Sequence, residues 1–249
     1  MLIDAHIHLD KYQAEEIPAL LEEVEMVIAV SMDRDSCEQT LALTQVYPKV
    51  KAAFGFHPEQ ALLNETEEAA LFAWIRQHAH HMVAIGEVGL PYYLKQEQSV
   101  DYTPYIQLLE RFLVLAKELH KPIVLHAVYE DAEIVCDLLE KHQVTKAHFH
   151  WFKGSEAVVQ RMIRNGYFIS ITPDCLYEQE IQQLIQAYPL GLMMVETDGP
   201  WPFEGPFDKQ RTSPYMMYQS IDVIASLKGL ERQKVADQIT HNTKFFYGL

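Results

Sequence analysis

Met1-Leu2-Ile3-Asp4-Ala5-His6-Ile7-His8 runs apolar residues into a His-x-His pair. Side chains at i and i+2 of a strand share one face, so His6 and His8 project together from a strand end. Two neutral imidazoles so placed make half of a first-row metal site. The pair also occurs by chance, so the rest of the chain must supply the missing ligands or the reading fails.

Working outward, short apolar runs alternate with helical stretches. Strands are expected at Leu2–His8, Met26–Ser31, Lys51–Phe56, Met82–Gly86, Pro122–His126, Lys146–Trp151, Tyr167–Ser170 and Leu192–Glu196. Helices are expected near Ile17–Glu25, Arg34–Tyr47 (ended by Pro48), and from a capping box at Asn64 and Glu67 to about His80. Others follow at Tyr105–His120, Asp131–His142, Ser155–Asn165 (stopped by Gly166), Glu178–Tyr188, Pro214–Lys228 and Arg232–Phe246. Strand–helix alternation implies parallel crossovers, and eight such units predict an α/β fold: a single (β/α)8 barrel spanning residues 1–249 as one domain. An open doubly wound sheet is the rival that periodicity cannot separate. The irregular stretch Gly199–Ser213 is long enough to suggest a functional loop.

Composition limits the function. With 249 residues, 49% of them hydrophobic, the chain can bury a large core. Cys37, Cys136 and Cys175 are odd in number and widely spaced, which fits reduced thiols in a cytoplasmic protein. No secretory signal and no run of membrane-spanning length is apparent, and no obligate protein partner is evident. A net charge of −15 argues against broad electrostatic attraction to nucleic acid, though not against nucleic acid held at a metal-containing cleft.

Ligand-type residues gather at strand ends: His6 and His8, Glu87, His126, His150 and Asp198. In a barrel these ends share one rim, where barrel active sites sit. Four imidazoles and two carboxylates suit one or two divalent ions of the Zn, Mn or Mg range. Glu87 is the natural bridge between two cations, and Asp198 could both bind one and act as general base toward an activated water. Each residue has a structural reading: Glu87 and Asp198 as turn carboxylates, His126 as a hydrogen-bonded core imidazole. His148 and His150 share a face, and spacing alone does not choose between them. His78, His80 and His81 lie at a helix end, where imidazoles suit the dipole, and are set aside as ligands. The conjunction at five separate strand ends favours the metal reading.

The motifs together resemble the TatD family of metal-dependent hydrolases, a branch of the amidohydrolase superfamily. They are Asp4-Ala5-His6-Ile7-His8-Leu9-Asp10, Gly55-Phe56-His57-Pro58, Gly86-Glu87-Val88-Gly89-Leu90, Pro122-Ile123-Val124-Leu125-His126, His150-Trp151-Phe152-Lys153-Gly154 and Glu196-Thr197-Asp198-Gly199-Pro200. The resemblance implies His6, His8, Glu87 and Asp198 around one metal, and Glu87, His126 and His150 around a second. It selects His150 over His148 as ligand and places His57 near the substrate. It makes hydrolysis of phosphodiester bonds in DNA or nucleotides the leading reaction. The chain departs from the family at Pro91, where Asp is common, at Leu94 and Val128, where Arg is common, and at Thr212-Ser213-Pro214. Arginine suits bidentate phosphate contact, so Lys153, Lys209 and Arg211 are the candidate replacements. The loss motivates an alternative substrate, a small amide, ester or lactone. A barrel that binds metal or ligand without catalysis is a third reading, opposed by the presence of both Glu87 and Asp198. Tyr92, Tyr93, Trp151, Trp201 and Phe203 are candidate rim aromatics that could stack on bases, and core packing explains them equally well.

Overall fold

The computed structural model describes all residues, Met1–Leu249. Eight strands form one sheet in sequential order: β1 (Leu2–Ile7), β2 (Val24–Ala29), β3 (Val50–Phe54), β4 (Met82–Gly89), β5 (Ile123–His126), β6 (Ala147–Phe149), β7 (Phe168–Ile171) and β8 (Met193–Val195). Every successive pair is parallel. Ten helices accompany them: α1 (Ile17–Glu22), α2 (Arg34–Val46), α3 (Glu65–His78), α4 (Tyr92–Glu97), α5 (Tyr102–Glu118), α6 (Glu130–His142), α7 (Glu156–Asn165), α8 (Gln179–Ala187), α9 (Met217–Lys228) and α10 (Arg232–Tyr247). The sequential order is that of a barrel; a doubly wound sheet would reverse its strand order at a switch point.

Alternation along the strands divides the core. Val27, Ala29, Ala52, Phe54, Ile123 and Leu125 belong to the large cluster that packs sheet against helices. Their neighbours Ile28, Ala53, Ala84, Val124 and Met194 take the opposite face and fill the barrel interior with Phe168, Phe246 and Tyr247. Small interior residues leave room for α10 to send Tyr247 inward, where its hydroxyl donates to the Ala5 carbonyl.

Several boundaries differ from the sequence reading for physical reasons. β4 continues past Gly86, so Glu87 lies within a strand. The glycines on and beside it serve close packing: a Cβ on Gly55 would meet the Glu87 carbonyl, and one on Gly89 the His126 carbonyl. α5 begins three residues earlier than expected because Pro104 sits in its first turn, where a missing amide is harmless. α4 was not anticipated at all. The capping box at Asn64 and Glu67 is present, with both reciprocal hydrogen bonds at 3.0 Å. No helix is long and apolar enough to cross a membrane.

The sheet closes between β1 and the segment after β8. Asp198 N–H donates to the His6 carbonyl at 2.9 Å, and His8 N–H to the Gly199 carbonyl at 2.8 Å. Asp4, fully buried, completes the closure. One of its oxygens accepts the His6 and Thr197 amides at 3.2 and 3.1 Å, and the other accepts the Thr197 hydroxyl at 2.5 Å. Burial pushes the Asp4 carboxyl up to about 7 although these hydrogen bonds oppose it. Asp4→Ala leaves the Thr197 donors unpaired in the core and is expected to cost about 2 kcal/mol. In a chain of this size that is a fall in Tm of roughly 4–8 °C; an unchanged unfolding midpoint would show that the closure does not depend on Asp4.

Candidate active site

The carboxyl-terminal rim of the barrel brings six side chains to one point. His6 is next to last in β1 and His8 follows the strand, Glu87 lies in β4, His126 ends β5, His150 follows β6 and Asp198 follows β8. All six are buried. Asp198 and Trp151 hold left-handed backbone at φ 49° and 37°, a strained conformation that tends to occur where a site demands it.

Glu87 stands at the centre, and its two oxygens face different imidazoles. Oε2 lies 3.1 Å from His6 Nε2 and 3.3 Å from His8 Nε2. Asp198 Oδ1 lies 3.2 and 3.3 Å from the same two nitrogens. Atoms bound about 2.0–2.2 Å from one divalent ion sit about 3.0–3.6 Å apart. His6 Nε2, Glu87 Oε2 and Asp198 Oδ1 are buried and have no hydrogen-bond partner, as ligand atoms would be. Glu87 Oε1 lies 3.0 Å from His126 Nδ1 and 2.7 Å from His150 Nε2, and those nitrogens are 3.4 Å apart. The residues present therefore fit two ions sharing the Glu87 carboxylate.

Charge follows this geometry. Burial would raise the Glu87 carboxyl, but His150, His57 and His6 outweigh it and hold it well below the usual carboxylate range. Burial likewise opposes ionisation of Asp198, and the facing His6 and His8 imidazoles override it. Burial disfavours a proton on His8, yet Asp198 and Glu87 raise it to about 9. Both carboxylates are thus held anionic, the form a cation needs.

His57 also approaches Glu87 Oε1, at 3.3 Å. Its Nδ1 accepts the Glu59 amide at 3.2 Å, so a neutral ring carries its proton on Nε2. Burial keeps the ring below its ordinary pKa and hence neutral. In that state His57 offers its Nε2–H to the site, although its ring also lies among ligand-type groups with Glu87 and His126. Glu196, near His6 and His150, is likewise committed: its oxygens accept the Trp151 amide at 2.7 Å and the Ser170 hydroxyl at 2.5 Å. One of them faces His150 Nδ1 at 3.6 Å, too far for a hydrogen bond, while His150 Nε2 faces Glu87. His148, left open by spacing, points away to Tyr247 and Ser170.

The pocket above the cluster has a volume of about 280 Å³. Tyr93, Val128, Trp151, Lys153 and Trp201 line it with the cluster residues. A larger hollow of about 480 Å³ opens at the other end of β1 beside α10 and lacks the converging imidazoles. Among the expected substrate contacts, His57 and Lys153 line the pocket. Arg211 does not: it pairs with Glu16 at 3.1 Å and stacks on Tyr12. Lys209 is almost fully exposed and is not part of the lining. His78, His80 and His81 end α3 and the turn after it, away from the rim. Glu59 was missed by sequence reading because it sits in a connecting loop; its only signal was its place two residues after His57.

The profile of the family described as TatD related DNase matches residues 3–248. The chain belongs to the TatD family. Family members include a metal-dependent hydrolase of Haemophilus influenzae, 43% identical over 253 residues and covering both chains completely. The human deoxyribonuclease TATDN3 is 28% identical over 259 residues, spanning 97% of this chain and 92% of that one. Among solved structures, the TatD homologue YjjV of Escherichia coli superposes with a TM-score of 0.87 at 23% identity, over 100% of this chain and 98% of that one. This TatD protein is accordingly a metal-dependent hydrolase with a barrel fold.

Metal added to chelator-stripped protein should raise its unfolding temperature, because binding relieves the clustered donors. At a thousandfold excess over Kd the gain is about 4 kcal/mol. Glu87→Gln, which keeps shape and removes charge, should lose most of it. Calorimetry with and without Zn, Mn or Mg measures both, and an equal gain in the variant would remove Glu87 from the ligand set.

Proposed function

We propose that the protein hydrolyses phosphodiester bonds in DNA or nucleotides, with His6, His8, Glu87 and Asp198 holding one divalent ion and Glu87, His126 and His150 a second. The carrying observation is the Glu87 carboxylate, whose two oxygens each meet a separate set of imidazoles. Such ions would polarise the phosphoryl oxygen and lower the pKa of the attacking water. Asp198 lines the pocket, stays ionised, and takes the proton of that water as general base. His57 Nε2–H donates to the negative charge developing on the substrate or its leaving oxygen. Lys153 supplies the pocket's one lysine or arginine charge, and the Tyr93 and Trp201 rings offer faces for a base. The deoxyribonuclease name of the human relative supports the same reading.

A second reading keeps this chemistry and changes the substrate to a small amide, ester or lactone. Val128 lines the pocket where the family often has arginine, Arg211 is engaged by Glu16, and Lys153, itself 3.9 Å from Asp174, is the one lysine or arginine in the lining. Salt dependence separates the two. A neutral amide, ester or lactone should respond little to salt, whereas single-stranded DNA held by one phosphate contact loses about threefold in affinity between 50 and 200 mM salt, and by six contacts about 300-fold.

Release of nucleotides from a short single-stranded DNA, with Zn, Mn or Mg supplied, tests the proposal. Asp198→Asn should lower kcat about 10²–10⁴-fold. Lys153→Ala should raise KM with little change in kcat, and Arg211→Ala should change neither. Silence of folded, metal-loaded protein toward DNA would shift the substrate to the second reading.

A further inference from the structure

Nothing in the chemistry above uses Glu59. Its backbone amide fixes His57, and its carboxylate collects three donors. Oε1 accepts the Tyr93 amide at 2.8 Å and faces His126 Nε2 at 3.1 Å, while Oε2 accepts the Leu94 amide at 2.6 Å. An ionised carboxylate only accepts, so His126 must carry its proton on Nε2 and present the Nδ1 lone pair toward Glu87. The opposite tautomer would point a hydrogen at Glu87 Oε1 and leave Glu59 facing a bare nitrogen.

The other two donors belong to a helix without a cap of its own. Pro91 is the N-cap residue of α4 and offers no side-chain hydrogen bond. Tyr93 and Leu94 are the second and third residues of that helix, whose amides an N-cap side chain would otherwise take. The resemblance put an aspartate at position 91; here a carboxylate reaches the same amides from the loop after β3. Tyr93, held by this contact, forms one wall of the pocket. The Glu59 side chain is only 16% exposed, so water competes weakly for these donors.

We propose that Glu59 is a positioning residue that orients His126 for the second metal and, through the same carboxylate, fastens α4 and Tyr93 against the pocket. The proposal rests on the two-metal reading for its His126 half and on the fold alone for its α4 half. Such partners of ligating histidines change metal affinity about 10–100-fold.

The test uses the full chain as wild type, Glu59→Ala, Glu59→Gln and the double variant Glu59→Ala/Pro91→Asp. Chelator-stripped protein is titrated with Zn by calorimetry, and amide hydrogen exchange is followed across residues 92–97. Wild type should bind two ions. Glu59→Ala should keep the first, weaken the second about 10–100-fold, and exchange the Tyr93 and Leu94 amides faster. Glu59→Gln, with one acceptor oxygen in place of two, should fall between. Pro91→Asp should slow the amides again without restoring the second ion, because the new cap does not touch His126. Wild-type affinity for the second ion in a folded Glu59→Ala protein, or unchanged exchange at Tyr93 and Leu94, would overturn the role of Glu59. A wild type that takes up no second ion would instead overturn the two-metal reading.

Discussion

Everything at the rim answers to one carboxylate. Glu87 is fully buried, and a buried charge is costly unless it is paired and hydrogen-bonded. The chain meets that cost with imidazoles on both of its oxygens. Four of the imidazoles that face it, His6, His8, His126 and His150, stand more than thirty residues away along the chain, so only the barrel can assemble them. The eight parallel strands end together, and β1, β4, β5, β6 and β8 carry the six cluster residues.

A second set of carboxylates lies behind the imidazoles, and Glu59 is hydrogen-bonded to His126. Glu196 stands behind His150 and Glu59 behind His126, each on the nitrogen that turns away from Glu87. Asp4 does the equivalent for backbone, tying the His6 amide to Thr197 so that His6 and Asp198 approach from two strands that close the sheet. The acid excess of the chain is therefore partly architectural: Asp4, Glu59, Glu87, Glu196 and Asp198 all work within the cleft. It also sets the polarity of the pocket. With Lys153 as its one lysine or arginine charge, the cleft would need bound cations to attract the anionic substrate proposed for it.

The barrel was legible in the sequence because its strands are short, apolar and regularly interleaved with helices. The residues at the rim were legible because ligand chemistry tolerates few residue types at fixed strand-end positions. What escaped was whatever depended on contacts across the fold. Gly86 and Gly89 look like terminators, yet β4 runs through them, with Gly86 against the Val124 side chain and Gly89 against the His126 backbone. α4 has six residues, a proline at its cap position and a cap supplied from another loop, so no local signal marks it. Arg211 looked available for a substrate because its pairing with Glu16 spans 195 positions. His148 and His150 could not be ranked by spacing, since only the interior position of Tyr247 shows which of them faces inward to a structural partner.

The most direct test of the central claim is anomalous diffraction from crystals grown with Zn or Mn, recorded at the metal's absorption edge. The account predicts two peaks on either side of the Glu87 carboxylate, about 3.5–4 Å apart. One would lie among His6, His8 and Asp198, the other between His126 and His150. A peak elsewhere, or none at Glu87 in crystals that contain the metal, would contradict it.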